Sequence, residues 1–169
     1  MNAHFEIKAD LKVDDAGTIT GMAWPFGQPD RVGDEILPGA FKGVKAPLPI
    51  LMGQDSMQPL GAWGEIRETT KGLEVKGQLL VNDVVRAKEV SALVKAGALG
   101  GLSIGFVTKS AVARKGGGRT IKALELVECS IVAIPMHPGA RITSSKSAQA
   151  AIALAEAINR ASAALKLKG

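Results

Sequence analysis

The sequence contains no tyrosine, one cysteine, two histidines, two tryptophans and four phenylalanines among 169 residues. A lone Cys129 excludes an internal disulfide framework. His4 and His137 are far apart and offer no Cys/His spacing of the kind that holds zinc. Neither a P-loop nor a Gly-x-Ser-x-Gly elbow is present, so no cofactor or metal is expected. Aromatic scarcity also leaves little for nucleobases to stack upon. The net charge of +5 and pI near 9.5 come from 21 basic and 16 acidic residues spread along the chain. Only Arg114-Lys115-Gly116-Gly117-Gly118-Arg119 forms a basic cluster, so a nucleic-acid partner is not expected. No apolar stretch approaches the roughly 18 residues that would span a bilayer, and the first residues lack a basic-then-apolar signal pattern. These absences point to a reducing, cytosolic setting and to one domain with appendages.

What is present is mostly strand and turn. Phe5, Ile7, Ala9, Leu11 and Val13 alternate with charged residues, the pattern of a half-buried strand. Asp14-Asp15-Ala16-Gly17 is turn chemistry, and Thr18–Trp24 reads as a returning strand. Residues 25–47 form a long Gly-, Pro- and Asp-rich loop with one short strand candidate, Glu35-Ile36-Leu37. Pro49–Met52, Leu60–Glu68 and Leu73–Val81 read as further strands, the last two joined by a turn at 69–72. Asn82 is a candidate N-cap for a helix over Asp83–Ala96 that Gly97 ends. Leu99–Val107 is a glycine-rich strand, 110–119 a polar hairpin loop, and Thr120–Ile134 a long apolar strand. Beyond Ser144-Ser145-Lys146-Ser147, an Ala-rich segment carries Leu154, Ile158, Ala161 and Leu165 at heptad-like spacing. That helix either docks on its own domain or supports self-association, for instance as a homodimer.

Three segments could carry chemistry. Ser103 lies within the Gly-flanked apolar strand, where a buried structural serine is the plain alternative. Glu128 shares a strand face with Leu126, Ser130 and Val132, and a carboxylate on an apolar face needs a partner. Gln54 and Asp55 open a loop at the end of the Pro49–Met52 strand. Cys129 points away from Glu128 and reads as a buried small side chain.

In order and spacing, four stretches resemble the tailed-phage prohead maturation proteases, which are related to the herpesvirus capsid protease. They are Asp34–Phe41; Pro49–Asp55 with Pro59-Leu60-Gly61; Leu99–Phe106; and Glu128–Val132 with Pro135–Ala140. The likeness covers about residues 5–142. It implies a serine endopeptidase with Ser103 as nucleophile, a histidine general base at position 54 and Glu128 as the orienting third group, Asp55 being the second choice. It further implies peptide substrates in the major capsid protein and scaffold, autolysis, and a place inside immature proheads in the host cytoplasm. The expected fold is mainly β with flanking helices, an α+β arrangement around an antiparallel β-barrel of the herpesvirus-protease type. Residues 1–143 would form the barrel domain, and 144–169 the Ser-rich linker and C-terminal helix.

Position 54 departs from this pattern. Gln54 has no titratable group near neutral pH and cannot take the serine proton. A deliberate histidine-to-glutamine change is the favoured reading, because the other motifs look undecayed. A natural inactive assembly factor, or a base supplied from elsewhere, is the alternative.

Overall fold

The computed structural model describes residues 13–143. The strand expected over Phe5–Val13, apart from Val13 itself, and the Ala-rich C-terminal helix lie outside the described residues. Eight strands and one helix follow: β1 Thr18–Pro25, β2 Glu35–Ile36, β3 Leu48–Met52, β4 Asp55–Glu68, β5 Gly72–Leu79, α1 Val85–Lys95, β6 Gly101–Ala113, β7 Arg119–Val132 and β8 Arg141–Thr143. Alternation along β1 buries Ile19 and Ala23, and β5 buries Leu73, Val75 and Leu79. These side chains meet Ile50, Leu60, Trp63, Leu102 and Ile131 in one apolar core.

The strands run in the order β7-β3-β4-β5-β1-β8-β6, and β6 pairs back onto β7. Seven strands thus close a barrel, and β2 adds to the free part of β7. The expectation of an antiparallel barrel is corrected here: β3 and β2 both pair with β7 in parallel. Between β3 and β7 lie β4, β5, α1 and β6, a connection long enough for a parallel crossover, which no hairpin turn could make. β7 alternates in exposure over its first half and is buried without interruption over Glu128–Ile131, where β3 flanks one edge and β6 the other. β8, which sequence patterning did not single out, closes the barrel between β1 and β6.

Helix α1 corrects one expectation and meets another. Its N-cap is Val84 in extended conformation with no side-chain capping bond, so Asn82 does not cap it. Its C-terminus ends at Gly97, whose N–H reaches the Val94 carbonyl while the Ala98 N–H reaches that of Leu93, a Schellman pair. Ala87, Val90, Ser91 and Val94 are its buried face.

The hairpin expected as a loop over 110–119 is strand up to Ala113, and only 114–118 turn. Both arginines of the basic cluster are held by the 30–35 loop. Arg119 grips the Asp34 carboxylate through Nε and Nη2 and donates its backbone N–H to Oδ1 at 2.8 Å. Arg114 donates to the Gly33 carbonyl at 2.7 Å and pairs with Glu35 at 3.4 Å. The two arginine charges of the cluster are thus paired with neighbouring acids, while Lys115 is exposed. The Arg119 side-chain bond holds the Asp34 carboxyl below the usual carboxylate range, against the opposing effect of burial. Replacing Arg119 by Ala is expected to cost about 1–3 kcal/mol, since Asp34 stays buried with fewer donors. Because Asp34 is depressed, its contribution is complete above about pH 4 and is lost as pH falls through its folded value. Urea unfolding should show a midpoint drop in Arg119→Ala at pH 7 and a smaller drop at pH 3; equal drops would contradict this pairing.

Candidate active site

The site is built on the buried stretch of β7. Cross-strand register places Ser103 of β6 opposite Ser130 and Gly105 opposite Glu128. Directly opposed residues in an antiparallel pair share a face, so Ser103, Ser130 and Glu128 lie on the same side of the sheet. On the other edge, the parallel pairing of β3 sets Leu51 beside Ser130 and Met52 beside Ile131. The chain then reverses at once: Met52 pairs with Asp55, so Gly53 and Gln54 alone form the turn into β4. Both have φ of 64°, the signature of a two-residue hairpin turn in which both central residues are left-handed. The open loop expected at Gln54-Asp55 is thus a tight hairpin. Gln54 is the only non-glycine residue with positive φ among the described residues, a local cost of a kind that concentrates at functional sites.

This turn is held against β7 by two backbone bonds, from Gly53 N–H to the Ile131 carbonyl at 3.0 Å and from Gln54 N–H to Ser130 Oγ at 3.0 Å. The Gln54 side chain turns to Glu128, with Nε2 3.4 Å from Oε1. Ser130 Oγ donates to the other carboxylate oxygen, Oε2, at 2.5 Å. Glu128 is only 9% exposed, yet both its oxygens are met. The carboxylate lies over Gly105, where an added Cβ would stand 2.5 Å from Oε1. A side chain at 105 would displace Glu128, which accounts for glycine there.

Of the residues read from the sequence, Gln54 and Glu128 touch, although 74 positions separate them, and Ser103 lies across the strand pair from Ser130. Asp55 turns elsewhere: its Oδ1 accepts the Met57 N–H at 2.8 Å, closing its own turn. Cys129 is fully buried on the opposite face, and burial, with the Glu128 charge as a lesser cause, pushes its thiol well above the usual range. Such a thiol is inert as a nucleophile. Ser130, not singled out as a site residue from the sequence, is the hub of the hydrogen bonds. Its only sequence signal was its place two residues after Glu128, on the same strand face.

His137 is the unexpected neighbour. Set between Pro135 and Pro138, it walls with Trp24, Asp30, Phe106 and Met136 a cavity of about 40 Å³ that also meets Ser103. Both ring nitrogens are engaged: Nε2 lies 3.1 Å from the Gln28 carbonyl and Nδ1 accepts the Gly139 N–H at 3.0 Å. That pattern requires the neutral ring with its proton on Nε2. The edge of the ring meets Trp24 with centroids 4.6 Å apart. Burial pushes the His137 pKa below its ordinary value, outweighing the bond to Gln28. A depressed histidine stabilises the fold fully above about pH 6.5 and progressively less as pH falls toward its folded value. Urea midpoints should accordingly decline between pH 7 and 5, and His137→Gln should flatten that slope; an unchanged slope would assign it to other groups. Among the described residues, no cluster of His, Cys, Asp and Glu could hold a metal ion.

A solved structure of KSHV protease with a hexapeptide phosphonate inhibitor superposes with a TM-score of 0.53 over 74% of this chain and 63% of that one. At 14% identity this shows a shared fold. The prohead protease of Enterobacteria phage HK97 is 33% identical over 138 residues, which are 78% of this chain and 61% of that protein. The capsid polyprotein of Pseudomonas phage PAJU2 is 37% identical over 140 residues, 79% of this chain and 21% of that one. The chain thus spans less than two thirds of either relative. Residues 3–153 match the family model of the caudovirus prohead serine protease, and the chain belongs to that family.

Proposed function

We propose that this chain is the peptidase domain of a prohead maturation protease, acting on capsid-protein and scaffold segments inside the immature head, and on itself. Ser103 is the nucleophile, position 54 is the seat of the general base and Glu128 is the group that orients it. A serine hydroxyl needs a neighbouring imidazole to take its proton, and the imidazole needs a carboxylate to fix its tautomer and stabilise its charged form. The observation that carries this reading is the contact between Gln54 Nε2 and Glu128 Oε1, beside the strand pair that holds Ser103. Glutamine occupies the place of the base, donates to the carboxylate as an imidazole N–H would, and cannot move a proton. The present chain is accordingly a disarmed peptidase. The PAJU2 relative, a capsid polyprotein, favours head proteins as substrates. Restoring the base by Gln54→His, with and without Ser103→Ala, tests the reading through cleavage of the chain and of its own capsid precursor.

One observation favours a second reading. Gln54 and Ser130 between them satisfy the buried Glu128, so the fold is complete without an imidazole. A catalytically inactive assembly factor would need no more, and its mark would be a Gln54→His chain that cleaves none of its head proteins.

A further inference from the structure

We propose that Ser130 is a positioning residue, a hydroxyl clamp that fixes the Glu128 carboxylate and the position-54 turn relative to each other. This deepens the reading of Ser103, position 54 and Glu128 given above and rests on it. Ser130 is fully buried, and its single oxygen makes both bonds of the clamp. As donor it occupies Oε2 of Glu128 at 2.5 Å, leaving Oε1 as the oxygen that faces the side chain at 54. As acceptor it takes the Gln54 N–H at 3.0 Å, holding a residue whose left-handed backbone would otherwise relax. The two bonds use opposite capacities of one hydroxyl, so alanine cannot supply either and threonine supplies both. Gly105 completes the seat from the neighbouring strand by leaving room for the carboxylate. With this arrangement, an imidazole introduced at 54 meets a carboxylate already oriented toward it.

The test separates the clamp from the catalytic reading. In a Gln54→His/Ser103→Ala chain, which cannot turn over, nitrogen-15 NMR follows the introduced imidazole, and hydrogen exchange follows the residue-54 amide. Adding Ser130→Ala should raise exchange at that amide about tenfold. The Gly53 amide, bonded to Ile131, should not change, and the imidazole titration should move. Ser130→Thr should restore both signals. In the Gln54→His chain with Ser103 intact, Ser130→Ala should lower kcat about ten- to hundredfold with little change in KM, the size of effect expected from a misplaced catalytic group. Unchanged exchange and an unchanged titration in a folded Ser130→Ala chain would overturn the clamp. A Gln54→His chain that cleaves nothing would instead overturn the peptidase reading, while the exchange and titration results still decide the clamp.

Discussion

Gln54→His is expected to raise self-cleavage and capsid-precursor cleavage by about 10⁴-fold or more over the chain as it stands, and Ser103→Ala should abolish the gain. Losing the base of a serine triad costs on that order, because nucleophile, base and orienting group act as a unit. The gain is available in one step because the partner is in place. Glu128 Oε1 already faces the side chain at 54, and the turn is already fastened to β7. Histidine also accepts the left-handed backbone of this turn, being among the residue types enriched there. Gels and mass spectrometry on the four chains with Gln or His at 54 and Ser or Ala at 103 give the result directly. His137 supplies the internal control. Were it the base, the unaltered chain would already cleave, and the activity would vanish with His137→Gln. Its two ring nitrogens are bonded to Gln28 and Gly139, so neither outcome is expected. Cleavage independent of Ser103 would end the serine mechanism.

Trp63→Ala should cost about 3–5 kcal/mol, the range for truncating a fully buried large aromatic, and so remove a large share of the 5–15 kcal/mol typical of a domain. Trp63 is completely buried on β4, and a Cβ on the neighbouring Gly77 would come within 2.9 Å of the indole. Its Nε1 donates to the Cys129 carbonyl at 2.8 Å, tying β4 to β7 two places away in the strand order. Truncation therefore opens a cavity and removes one hydrogen bond from the carbonyl between Glu128 and Ser130 in sequence. Trp63→Phe keeps most of the volume and loses the bond, and should cost about 1–3 kcal/mol. Urea unfolding followed by circular dichroism measures both. A loss below about 1 kcal/mol in the alanine variant would mean that the core repacks around the gap.

Much of the barrel was legible because strand alternation and turn chemistry are local. The turn before β1, the long loop with its short β2, the helix ended by Gly97 and the β4–β5 turn all follow from neighbours in sequence. The misread parts depend on distant partners. Nothing near Asn82 says that Val84 caps the helix, and nothing near Arg141 says that three residues will close the barrel between β1 and β6. The parallel course of β3 and β7 was equally hidden, since direction of pairing belongs to the assembled sheet.

The site divides in the same way. Ser103, Glu128 and position 54 were singled out as candidates through the family resemblance of the runs that hold them, and the lack of a titratable group at 54 is a matter of residue type alone. That Glu128 rather than Asp55 meets position 54 was decided by tertiary structure, through the parallel register of β3 on β7 and the use of Asp55 in its own turn. So was the approach of His137 to the cavity beside Ser103, and the placing of Ser130 between carboxylate and turn. Side-chain chemistry is carried by the residue itself; a hydrogen bond across 74 positions exists only once strand order and register bring its two ends together.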